Sequence, residues 1–374
     1  MADMETMPTP MEVLLMIDED VSDRLGIVIR HLCVGAIDEG VRVQILSQSS
    51  RLEVGDAIGP SPVAYLQERS WPWPSHKPDE VLRRIGGRLP GLVHCLSVAQ
   101  ARRVEKWASA WNSAMLVHLT DLEDVREFGQ LSYVEKLYAA VTTQTLHDAF
   151  VKDYPQYKDR VELIPFGIPA QGEPACLAQP DRLPVGVITT PLTRDCGLDH
   201  VFHALKAVIE SGHQLHVLII SAGPAEKSFR KLADDLGVRG HMTFTGPVGD
   251  WAKLRVAMVN ADFYILPASR RRFTISTLLA MADGLAILAP SGTIGDYLID
   301  GETAALFDPQ NPQDLAEKWI GMLDDRTRAR QLAHRTLDYV KSHHKASTMV
   351  NRVTMFYRSI QQATAPKRPS SSTT

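Results

Sequence analysis

The chain has 374 residues, more than the roughly 250 to 300 at which a single hydrophobic core stops growing, so two domains are expected. Its formal charge of -4 gives no electrostatic case for nucleic acid as the main ligand and suits a small or neutral substrate better. The cysteines Cys33, Cys95, Cys176 and Cys196 form no Cys-x-x-Cys pair; they signal neither a zinc site nor a disulfide framework and fit a reducing cytoplasm.

Met1 to Pro10 carries Asp3 and Glu5 and lacks a basic region followed by an apolar core, so no signal peptide is expected. No transmembrane span is expected either, since no stretch reaches about 18 uninterrupted apolar residues. Glu12 to Ile17 reads as a first strand, followed by the acidic run Asp18 to Asp23 and Arg24-Leu25-Gly26, then an amphipathic segment ending at Gly40. Val41 to Leu46, Leu92 to Leu96, Met115 to Leu119 and Ala139 to Thr143 read as further strands, with helical segments such as Ala99 to Ala110 between them. Strands alternating with helices argue for a parallel, doubly wound sheet.

Val161 to Ile168 reads as a strand and exit loop, and the proline-rich stretch over 171–184 as a linker between domains. The alternation then restarts. Strands are expected at Val185 to Thr189, Leu215 to Ser221, His241 to Thr245, Phe263 to Leu266, Ala286 to Ala289 and Ala304 to Phe307. Helices are expected at Leu198 to Ser211, Lys227 to Leu236, Trp251 to Asn260, Ile275 to Met281 and from Pro312 onward. Two such halves place a ligand cleft between the carboxyl ends of two sheets. The tail over 363–374, rich in Pro, Ser and Thr, is expected to be disordered.

The run Ala261 to Gly284 is the most informative: a short apolar strand, the loop Pro267 to Phe273, a helix, and a glycine stop. It resembles the donor-site signature of the retaining glycosyltransferases of family 4 (group 1), which have the GT-B architecture of two Rossmann-like domains. The matching positions are Ala261, Asp262, Pro267, Phe273, Leu278, Ala280, Met281, Ala282 and Gly284. The family's paired glutamates fall at Arg271 and Leu279, so both acidic groups are missing and the signature is degenerate. The resemblance implies an N-terminal acceptor domain over 11–170, a donor domain over 185–343, and a helix over 344–362 that returns to the N-terminal domain.

On the same resemblance, Ser221-Ala222-Gly223-Pro224 matches a turn whose backbone approaches the nucleotide; the plain alternative is a strand-to-helix turn that needs a glycine. Thr274 and Ile275 open the helix whose free amides would bind phosphate, with Thr274 or Ser276 as an ordinary cap the alternative. The cations that neutralise the diphosphate in the family are absent after the first C-terminal strand, where Thr190 or Pro191 and Cys196 stand instead, and Arg194 is out of step. Arg270-Arg271-Arg272 offers compensation, Arg271 above all, against the plainer reading of a solvated cluster. Asp296 aligns with a family Glu of the donor pocket, and Gly26 with a Gly-Gly loop. His118 matches the cleft histidine and carries the catalytic assignment, while His94 is a weaker neighbour; the plain alternative for both is a hydrogen-bonded histidine at a strand end. Pro165-Phe166-Gly167 resembles a family turn at the domain junction.

The function implied is transfer of a hexose from a nucleotide sugar to a glycan or lipid-linked acceptor, with retention and without a metal or other cofactor. The rival expectation is a degenerate relative that binds a glycan or a catalytic partner glycosyltransferase as a scaffold. The expected location is the cytoplasm, with peripheral attachment at the inner membrane surface as a variant.

Overall fold

The computed structural model describes residues 11–47, 61–66, 76–133, 135–170, 172–174, 176–179, 181–248, 251–268 and 273–365. The chain divides into two compact units, one running through Phe166 and resuming at Ala346, the other from Gly167 to Lys345. The tail over 366–374 and the arginine run Arg270 to Arg272 lie outside the described residues.

The first unit is built on a parallel sheet in the order β3-β2-β1-β4-β5-β6-β7. Its strands are β1 (Met11–Ile17), β2 (Val41–Ser47), β3 (Val63–Tyr65), β4 (Leu92–Cys95), β5 (Ala114–Leu119), β6 (Leu137–Val141) and β7 (Val161–Leu163). Every residue of β4, β5 and β6 is buried, as a parallel sheet covered on both faces requires. Helices α1 (Glu19–Asp38), α2 (Pro78–Arg84), α3 (Val98–Ala110), α4 (Leu122–Glu127) and α5 (Gln144–Asp153) make the crossovers. Strand β3 was not expected; three residues are too few to show a period of two.

The helix that begins at Ala346, α12 (Ala346–Thr364), packs with this unit and contacts α1. It buries Met349, Val350, Val353, Tyr357 and Ile360 at helical spacing, and each such apolar side chain stabilises the attachment by about 1.5 to 3 kcal/mol. Phe356 is only half-buried and meets Tyr138 edge-on at 6.2 Å.

The second unit has the parallel order β10-β9-β8-β11-β12-β13. Its strands are β8 (Val185–Ile188), β9 (His216–Ile219), β10 (Met242–Phe244), β11 (Phe263–Ile265), β12 (Ala286–Pro290) and β13 (Ala305–Phe307). The helices are α6 (Leu198–Glu210), α7 (Glu226–Asp235), α8 (Trp251–Val259), α9 (Ile275–Ala282), α10 (Pro312–Asp324) and α11 (Arg326–His343). Phe202, Phe263, Ile265 and Trp319 lie in its core.

The stretch read as a linker is partly core of this unit. Cys176 and Leu177 join the apolar cluster, and the buried Asp262 carboxylate accepts from the backbone amides of Leu177 at 2.7 Å and Val185 at 2.8 Å. Arg182 completes the pairing at 2.5 Å. The signature aspartate thus fastens the entering chain to the start of β11.

Candidate functional site

In each sheet the crossovers diverge between the strand that starts the unit and its neighbour: β1 and β4 in the first, β8 and β11 in the second. Ligands of open α/β sheets bind outside the carboxyl ends of the strands at such a switch point.

In the second unit three segments leave this edge: residues 189–197 after β8, 220–225 after β9 and 266–274 after β11, of which 269–272 are not described. The helices they enter, α6, α7 and α9, start at Gly197, Ala225 and Thr274, and none has a side-chain capping bond. Their first turns retain amide donors and partial positive charge. Asp199 and Glu226 offset that charge on α6 and α7, whereas the first turn of α9 carries no acid. All eight residues of α9 are buried, and Asp283 just beyond it pairs with Arg255, which holds the C-terminal end of the helix.

The edge is stitched internally. Leu192 N donates to Ala222 O at 3.1 Å and Ala225 N donates to Leu192 O at 2.9 Å. A Cβ on Gly223 would lie 2.4 Å from the Leu192 carbonyl oxygen. The plain reading of Gly223 accounts for the glycine: close approach is demanded by the protein's own loop, with Pro224 exposed beside it. Three hydroxyls that sequence reasoning did not group close a ring here. Thr189 Oγ1 lies 2.9 Å from both Tyr264 OH and Ser276 Oγ, and Tyr264 OH is 3.0 Å from Ser276 Oγ. They tie the exits of β8 and β11 to the first turn of α9.

Phe273 and Ile275 are buried around the start of α9, and the Phe273 ring meets Tyr297 at 5.8 Å. Burial pushes the Tyr297 phenol well above its ordinary range, with Tyr264 and the neighbouring Asp296 adding to the shift. Asp296 itself is exposed. Thr190 and Cys196, at the missing cation positions, are buried, as is Leu279; Arg194 is exposed. Arg271 lies outside the described residues.

The same edge of the first unit is closed. Asp18 accepts from Val21 N at 2.9 Å, Ser97 from Gln100 N at 3.2 Å, Asp121 from Asp124 N at 2.7 Å and Thr143 from Leu146 N at 3.3 Å. Each is the N-cap of the helix that follows. Glu19 and Asp20 add negative charge to the first turn of α1.

Two expectations are corrected in this unit. Gly26 is not in a loop: helix α1 begins at Glu19, and Gly26 lies about two turns inside it, where backbone amides bond along the helix. His118 is not open to a ligand: it is 1% exposed, with Phe166 at 4.7 Å and His94 stacked on it at 5.8 Å. The cause is register. Leu116 pairs with His94, so His118 follows two residues on along the same face, the face that His94 shares with Tyr357 of α12. Burial draws the His118 imidazole down to about 3, against the opposing effect of a hydrogen bond with the Ile164 backbone, so the ring is neutral at physiological pH.

Among the described residues no group of three or more His, Cys, Asp or Glu side chains is placed to hold a metal ion. None of the described helices is long and apolar enough to cross a membrane.

Two parallel-sheet α/β units, with the last helix packed on the first, define a GT-B protein. A crystal structure of a glycosyltransferase from Rickettsia africae aligns over 94% of this chain and 99% of its own, with TM-score 0.75 at 15% identity. Anabaena HepE in complex with UDP and glucose aligns over 93% of this chain and 100% of its own, with TM-score 0.76 at 14% identity. Residues 183–325, within the second unit, match the family model described as "Glycosyl transferases group 1". A GDP-mannose-dependent alpha-(1-6)-phosphatidylinositol monomannoside mannosyltransferase of Mycobacterium tuberculosis is 26% identical over 183 residues, 47% of each chain. The chain thus spans about half the length of the curated relatives it matches.

Proposed function

We propose that the protein is a retaining, metal-independent hexosyltransferase whose donor, a nucleotide diphosphate sugar, binds at the carboxyl edge of the second sheet. The observation that carries this reading is the start of α9: no capping side chain, no acid in the first turn, and a fully buried helix behind it. Amides fixed in that geometry stabilise a departing diphosphate without a particular side chain and without reorganisation. Arg271, close before the helix in sequence, would supply the cation, and Asp296 a carboxylate for the pocket. The acceptor class proposed is a glycan or lipid-linked glycan. The mycobacterial relative, which takes its mannose from a GDP donor and is named for a phosphatidylinositol mannoside acceptor, supports it.

A second reading, a non-catalytic scaffold that binds a glycan or a partner glycosyltransferase, is favoured by one specific observation. The position of the second of the family's paired glutamates is a leucine, Leu279, with no exposed surface, and a leucine offers a donor no hydrogen bond.

Titration calorimetry of UDP-, GDP- and ADP-sugars against the full chain separates the two. Micromolar binding of one donor, followed by sugar transfer or donor hydrolysis, is expected. Silence across the panel in folded protein would reject the enzyme reading.

A further inference from the structure

The first unit holds a pair of buried titratable rings that the donor site does not use. His94 on β4 and His118 on β5 stack at 5.8 Å with their planes 19° apart. His94 Nδ1 lies 2.6 Å from the hydroxyl of Tyr357 on α12, whose ring meets His94 edge-on at 5.6 Å. The Nε2 atoms of both histidines are buried without a hydrogen-bond partner among the described residues.

We propose that this pair is a proton-operated latch on α12: neutral, it holds the helix to the sheet through Tyr357; protonated, it lets the helix go. The inference is independent of the donor reading. A tyrosine hydroxyl that donates to Nδ1 needs a lone pair there, which the neutral ring with its proton on Nε2 provides. A proton arriving at Nδ1 turns that acceptor into a donor. The tyrosine must then accept, and its own hydrogen has to find another partner in a dry site.

Among the described residues the Ile164 backbone, bonded to His118, is the contact that favours a cation, and it is outweighed by burial. The two rings face each other from β4 and β5, the Tyr357 hydroxyl meets His94 from α12, and the Phe166 ring meets His118 from the segment after β7. Cys33 of α1 acts on Tyr357. Burial lowers both rings, and the nearness of His118 lowers His94 further; among the described residues neither shift has a carboxylate as a cause. The charged groups that anchor α12 elsewhere are Arg352, on the Leu163 carbonyl, and Arg358, on Glu39. His31 of α1, also lowered by burial and by Arg30, is the remaining histidine on the helix that α12 contacts.

Release exposes rings that titrate near 6.5 in water. The released population therefore rises about tenfold per pH unit below that value for one ring, and about a hundredfold if both are exposed together. Hydrogen exchange read by mass spectrometry on the full chain at pH 7.5 and 5.0, corrected for intrinsic exchange rates, tests this. Peptides within 346–364 are expected to lose protection at least tenfold more than peptides from β5 and β6. His94→Asn, which keeps an acceptor for Tyr357 but cannot take up a proton, should flatten that response. Tyr357→Phe, which leaves the ring stack in place, should lower the protection of α12 several-fold already at pH 7.5 and supplies the test if His94→Asn does not fold. The latch is overturned if α12 loses protection only together with the rest of the unit, or not at all. It is equally overturned if His31→Gln, rather than His94→Asn, removes the response.

Discussion

The carboxyl edges of the two sheets are made of the same parts and finished differently. In the first unit the helices after β1, β4, β5 and β6 are each capped by a side chain, from Asp18, Ser97, Asp121 and Thr143. In the second unit the helices after β8, β9 and β11 begin without one. A cap satisfies an orphan amide and stabilises its helix, typically by about 1 kcal/mol, so a row of uncapped starts forgoes stability. What it keeps is a set of donors for a ligand. One unit thus uses this edge for its own folding, while the uncapped starts of the other are where the proposed donor phosphates would bind.

The contrast can be attacked at several points. The largest effect is expected at Gly223, where the Leu192 carbonyl oxygen occupies the place of a Cβ at 2.4 Å. Gly223→Ala should destabilise the second unit by about 3 kcal/mol, the upper end for overpacking because backbone cannot swing aside. Urea denaturation would measure it, and a neutral result would mean the stitched edge is soft. Next is acidification, which should act through the first unit. His118 is neutral when folded, with its pKa drawn down to about 3 against about 6.5 unfolded. Its contribution is therefore intact above about 6.5 and is lost as the pH falls, by about 1.4 kcal/mol per unit. Stability followed by denaturation between pH 7 and 4.5 should drop by about 2 to 3 kcal/mol from this ring, and His118→Asn should reduce that slope.

Arg271→Ala should weaken binding of the donor by about 1.5 to 3 kcal/mol, the range for a hydrogen bond to a charged group; unchanged affinity in calorimetry would remove arginine from the site. The smallest effect sharpens the comparison most directly. Thr274→Asp would give α9 the kind of start that α1 has. It should raise stability by about 0.3 to 1 kcal/mol while weakening donor affinity several-fold. A variant that gains stability and keeps its affinity would show that the phosphates bind elsewhere.

Much of the fold was legible. The strands and helices of the second unit fall within about one residue of the sequence reading at most ends, because apolar runs of four or five residues alternate there with helix-length periodic segments. Gly26 fits the family's loop by position, but a stronger local signal decides its structure: Asp18, Glu19 and Asp20 before an apolar periodicity announce a helix start. The requirement for glycine at 223 was readable, but its cause was not, since Leu192 lies far away in sequence. His118 shows the same limit. A histidine near a strand end looks available until the register with β4, and a tyrosine from the far end of the chain, place it inside. The hydroxyl ring of Thr189, Tyr264 and Ser276 joins three separate elements, and no motif could have grouped them.

The way Asp262 binds residues 177 to 185 bears on how the second unit can be handled as a separate piece. Gly284, whose positive φ closes α9, has Pro174 within 2.8 Å of its Cβ position, and Cys176 and Leu177 lie inside the core. The entering segment is thus a permanent strap and not a tether. A fragment cut at Val185, the border of the sheet, would bare the signature carboxylate and open the floor beneath α9. One that starts at Gly167 carries its own closure with it.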